Sequence, residues 1–277
     1  MPERSARGAS PVSRSRERGQ SELVGYAILF SLALTALVVN VVFGLAALED
    51  VQQSTVVDNG EFALRAVESD VDALYRGSAT TRRTELSLKS ASLETGAETT
   101  VTVSVDDPSD GDPPRQFGPF TFRPIVYSSE QVDFVYENSL VVRDQRQGAV
   151  AVTDSEFVVS SDQTVVPVVQ TVAEPQSVGG SATGSVDAVV NRTRGYTVTN
   201  RTFPSDAFVV TVEIDTAPDR VRVWNRTLSD AVAETTDLPV GGSPGCEVTD
   251  RANGVLECDI ETTAVVVSRV EITYSLQ

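Results

Sequence analysis

RERGQSELVGYAILFSLALTALVVNVVFGLAALEDVQ, residues 16–52, is the stretch that decides the fold. Residues 23–48 carry no ionisable group except Tyr26, and only Ser31, Thr35, Asn40, Gly25 and Gly44 interrupt the apolar run. A helix needs roughly 20 apolar residues to cross a bilayer, whereas a soluble core helix is shorter and amphipathic. The run therefore predicts a membrane-spanning helix. Residues 1–19 hold five arginines and two glutamates, and Glu49 and Asp50 follow the run. By the positive-inside rule this places the N-terminus in the cytoplasm and the remainder outside the cell.

Four kinds of N-terminus share this general pattern. A secretory signal has an apolar region of about 7–15 residues and a small-residue cleavage site after it; this run is longer and lacks that site. A lipoprotein needs a cysteine just beyond the apolar region, and the only cysteines are Cys246 and Cys258. An uncleaved anchor fits, and so does a type IV pilin leader. In such leaders a charged segment ends in glycine or alanine and is cut before the apolar run, which stays on the mature protein. The segment Arg16-Glu17-Arg18-Gly19 ends in that way, so cleavage is expected between Gly19 and Gln20.

On these residues the sequence resembles the archaeal pilin and archaellin class, and more closely a group of haloarchaeal surface proteins with an archaellin-type N-terminus and a class III signal-peptide-like leader. The likeness extends through NGEFALRAVESDVDALYRG (59–77) and YENSLVVRDQRQGAVAV (136–152). It implies a prepilin peptidase and an assembly ATPase as partners, and self-assembly, alone or with other pilins, through the N-terminal helix. It also offers Glu22 as an assembly residue. After cleavage at Gly19, Glu22 is the third mature residue, whereas the bacterial pilin glutamate is the fifth.

Beyond the span the helical period continues. Val57, Leu64 and Val71 are seven apart, with Val67 and Leu74 at the complementary positions. Asn59-Gly60 predicts a kink or break, and Arg76-Gly77 a stop. The stripe predicts packing on the protein's own sheet, on a neighbouring subunit, or on both at once. From residue 84 the period changes to two, in runs rich in Val, Thr and Ser: 101–105, 207–214, 221–224 and 264–276 among them. The last slips phase near Ser268, as a bulge would give. About a dozen short strands predict an antiparallel sandwich or barrel-like domain. A short helix is expected at 229–234, and flexible loops at 106–115 and 174–185. The expected architecture is thus α+β: a basic leader (1–19), a long helix (20–76) with its transmembrane part at about 23–48, and an extracellular β-rich domain (77–277).

Composition narrows the chemistry. Formal net charge is −17, Lys89 is the one lysine, and there is no histidine. An acidic surface repels nucleic acid. Carboxylates with almost no lysine are the look of haloarchaeal proteins. Without histidine there is no Ser-His or Cys-His dyad, and no phosphate-binding glycine motif is present. The segment 106–112 fails as a calcium loop at Pro108, and again at Phe117, where a glutamate is needed. No enzyme activity, cofactor or metal is expected. Cys246 and Cys258 flank a turn in hairpin-like spacing and, outside the cell, are expected to form a disulfide. Asn191, Asn200 and Asn225 each begin an Asn-Arg-Thr acceptor for N-glycosylation. The expected function is a structural, membrane-anchored, pilin-like subunit. The alternative is a single-pass protein that never polymerises and whose external β domain binds a ligand.

Overall fold

The computed structural model describes residues 17–89, 91–108, 111–180, 183–199, 207–234 and 245–277. The chain divides into two compact units, Met1–Ser54 and Thr55–Gln277. A single 59-residue helix, α1 (Glu17–Tyr75), contributes to both. In the first unit Val24–Val41 has a mean hydropathy of 2.1 and none of it is buried. Among the described residues this is the one helix long and apolar enough to cross a membrane.

In the second unit α1 supplies Ala63, Leu64, Val67, Val71 and Leu74 to a buried core. The heptad stripe therefore packs on the protein's own sheets. The expected break at Asn59-Gly60 does not occur, and the helix continues through the pair. Gly60 is buried, and a Cβ there would lie 2.6 Å from the ring of Phe134 and 3.0 Å from that of Tyr127. The glycine lets the helix approach two buried rings; it does not break the helix. The expected stop does occur: Gly77 takes φ +72°, and the amides of Gly77 and Ser78 bond the carbonyls of Leu74 and Ala73.

Among the described residues fifteen strands form three sheets. The first has the order β1 (Thr81–Ser87), β11 (Thr183–Thr199), β15 (Ala264–Leu276), β9 (Thr164–Val172). The second runs β10 (Ser177–Gly179), β2 (Ser92–Thr95), β5 (Ile125–Ser128), β6 (Val132–Glu137), β7 (Leu140–Gln145), β8 (Gly148–Ala151). The third runs β13 (Gly245–Asp250), β14 (Val255–Thr262), β12 (Phe208–Asp215), β3 (Thr99–Asp106), β4 (Arg115–Phe122). All neighbours are antiparallel except β15 and β9, which are parallel. This departs from the all-antiparallel expectation. β9 reads Thr-Val-Val-Pro-Val-Val, a continuous apolar run of the kind that suits a strand covered on both faces.

β15 and β9 are both covered in this way. In β15, Val265 and Val267 enter one core, while Val270, Ile272, Tyr274 and Leu276 enter another. Successive residues of a strand face opposite sides, so these two sets leave opposite faces of β15. β9 behaves alike, with Val166 and Val168 in the first core and Val169 in the second. The phase slip near Ser268 is therefore a change of buried face, not a bulge: the β15–β9 ladder is unbroken from Val265 to Thr273. The bulge is on β11, where the register shifts between Val190 and Arg192.

Two further expectations are corrected. Residues 221–224 are no strand; they open α2 (Val221–Ala233), and the helix expected at 229–234 is its last part. Val221, Trp224, Leu228 and Val232 recur at helical spacing and are buried in the first core. Residues 174–185 are not wholly loop, since β10 lies within them and pairs with β2.

Candidate functional site

Gly19 and Gln20, where cleavage is expected, and Glu22 fall in the first turns of α1; their side chains lie outside the described residues. Within the span, the hydroxyls of Ser31 and Thr35 donate to the carbonyls of Ala27 and Ser31, at 2.8 and 2.7 Å. The Asn40 amide donates to the Ala36 carbonyl at 2.8 Å. Each of these three side chains thus has a partner one turn back on its own helix.

The second unit contains a buried polar node that the sequence reading missed. The β6–β7 turn is Asn138-Ser139, both at positive φ (43° and 71°), as a tight two-residue hairpin requires. Its preceding residue, Glu137, is fully buried. The Glu137 carboxylate accepts hydrogen bonds from Thr216 Oγ1 (2.6 Å), Arg220 Nε (2.6 Å) and Trp224 Nε1 (3.3 Å). Asn138 donates from Nδ2 to the Pro167 carbonyl and accepts from the Val169 amide, at 3.2 and 2.7 Å. One turn therefore fastens β9 on one side and the start of α2 on the other. The YENSLV pattern signals a hairpin, but a partner 83 residues away at Arg220 leaves no local mark.

Cys246 and Cys258 are joined by a disulfide between directly opposed residues of β13 and β14. Cys258 is buried in the first core. Of the three asparagines expected as glycan acceptors, Asn191 is exposed at the β11 bulge, its amide donating to the Thr273 hydroxyl. Asn225 lies inside α2 with its amide oxygen buried and without a partner. Asn200 lies outside the described residues. Among the described residues, no group of three His, Cys, Asp or Glu is arranged to hold a metal ion.

Two open clefts adjoin the tip of the β7–β8 hairpin. One of about 550 Å³ lies between β8 and α2, with Asp219, Arg222, Val223 and Arg226 on the helix side. The other, of about 320 Å³, has Asp133, Asp144, Arg146 and Asp219 around it. Gln145 and Asp219 border both.

Burial, with neighbouring carboxylates second, shifts several carboxyls. Burial, then Asp72, holds Glu68 above its ordinary value. Burial, then Asp219, does the same for Asp144, and burial, then Asp259, for Glu257. Asp250 moves the other way, because the Asn253 side chain bonds its carboxylate. A carboxyl whose value is raised by folding takes up its proton in the folded state first. Its effect is to stabilise the fold as pH falls from above the raised value towards the ordinary one. The Asp250 contribution is present at neutral pH and is lost only below the ordinary aspartate range. Thermal unfolding at constant ionic strength should therefore show a higher midpoint at about pH 5 than at about pH 7. A lower midpoint at about pH 5 would contradict these raised values.

An apolar helix of membrane-spanning length joined to a mostly β unit is the class that this fold defines. The chain belongs to a family of unknown function (DUF7289), whose model matches residues 18–274. No curated protein and no solved structure matches it.

Proposed function

We propose that the chain is a type IV pilin-like surface subunit, a minor pilin or a related one, with residues 23–48 in the cell membrane and the β unit outside. The observation that carries this reading is the division of labour along α1. Its first part is apolar and exposed, and its last turns are packed into the core of a β unit. A leader ending at Gly19 is removed by a prepilin peptidase, and the freed helix takes part in self-assembly or joins other pilins. The reading has no catalytic step and needs no cofactor. The acidic surface suits a high-salt exterior, where carboxylates keep a surface hydrated while salt screens their repulsion. Of the two described asparagines, Asn191, exposed on β11, has the setting that better suits a glycan.

A second reading, a single-pass membrane protein that does not polymerise, is favoured by one observation: Ser31, Thr35 and Asn40 are each bonded within their own helix, so none calls for a neighbouring helix. Mass spectrometry of the membrane-bound protein separates the two. The first reading expects a mature chain starting at Gln20, and a precursor left uncut when Gly19 is replaced by a bulky residue. A major form that retains residues 14–18 would remove the pilin reading.

A further inference from the structure

β8 is the last strand of the six-stranded sheet, and only one of its edges is paired, to β7. The Val152 amide donates to the Val141 carbonyl, which fixes the phase of this edge. Backbone groups alternate sides along a strand, so the N–H and C=O of Ala149 and Ala151 turn to the open side. No strand lies there among the described residues. The opposite wall of the cleft is α2, which presents Arg222 and Arg226 one turn apart on one helix face. Both are exposed, and among the described residues neither makes an ion pair or hydrogen bond. They stand out in a chain of net charge −17.

We infer that this cleft takes an extended segment of another protein carrying carboxylates at alternate positions, added as a further strand on β8. The main chain of the segment pairs with Ala149 and Ala151, and its carboxylates meet Arg222 and Arg226. The spacing agrees. Alternate residues of a strand are about 6.7 Å apart, and four residues of helix rise about 6 Å. Val223 supplies an apolar wall, and a volume of about 550 Å³ suits a short bound segment. Charge complementarity fixes the class of partner: guanidinium groups bind carboxylates through paired donors, and strand addition supplies affinity through main-chain bonds.

The test uses the full chain in detergent micelles and a fluorescent acetyl-Thr-Glu-Val-Glu-Thr-amide probe, followed by anisotropy. The probe should bind, and the same peptide with lysines for glutamates should not. The Arg222→Glu, Arg226→Glu double variant should weaken binding about tenfold or more. Both residues are exposed, so its unfolding midpoint should match that of the parent chain. A peptide N-methylated on alternate amides should lose binding, which a purely ionic contact would not cause. No binding at about 1 mM probe would overturn the inference. So would a double variant that binds as the parent does, or an N-methylated peptide that still binds.

Discussion

Arg220→Ala should lower the stability of the chain by about 3–5 kcal/mol, the range found when one member of a buried ion pair is removed. Glu137 is fully buried and its partner Arg220 nearly so. Removing the guanidinium leaves a carboxylate in the core with Thr216 and Trp224 as its donors, and two neutral hydrogen bonds do not offset the loss of solvation. The pair Glu137→Gln, Arg220→Met should recover part of the loss, because the charge is gone while the glutamine oxygen still accepts from Thr216 and Trp224. Trp224, the single tryptophan, sits in the node, so its fluorescence reports directly on denaturant titrations. The exposed pair Arg76–Glu156 supplies the contrast, since pairs in that setting contribute little. A loss below about 1 kcal/mol for Arg220→Ala would mean that water reaches Glu137.

Gly60→Leu is the second large change expected, with a loss of about 3 kcal/mol, at the upper end for overpacking. In an exposed helix the opposite sign holds, because glycine is about 1 kcal/mol worse than alanine in a helix interior. Here the first added carbon already meets the Phe134 ring at 2.6 Å and the Tyr127 ring at 3.0 Å. Both rings are fully buried, so neither can swing into solvent. Gly60→Ala should fall between, its propensity gain opposed by the displaced ring. Far-ultraviolet circular dichroism should show the helix retained in both variants while the denaturation midpoint falls. A Gly60→Leu chain as stable as its parent would mean that α1 does not lie against β5 and β6.

These residues also show where the sequence could be read and where it could not. The apolar span was legible because it depends on a run of side chains alone. The heptad stripe was legible too, but its partner was not: Leu64 and Val71 pack equally well on a sheet or on another helix. Gly60 was misread because glycine signals both a weak helix and a close approach, and only the position of Phe134 decides between them. Residues 221–224 alternate like a strand, and the period that marks α2 emerges only with Leu228 and Val232. The same limit applies to the polar groups. Glu137 and Arg220 look like two more surface charges until the fold brings them within 2.6 Å. The opposed cysteines, by contrast, lie on adjacent strands of one hairpin, where spacing along the chain reports distance in space.

The place of β15 governs the order in which the second unit can be completed. It fills the gap between β11 and β9, both of which precede it by many residues. A chain delivered N-terminus first therefore exposes two valine-rich strand edges until β15 arrives. During that interval β9 has no parallel neighbour, and the two cores lack the wall that they share. Unpaired edges of this kind are sites for chance association with other chains, and pairing across long sequence separations is slow. Delivery and closure are thus coupled: the interval before β15 emerges is when this protein most needs to be kept apart from its neighbours.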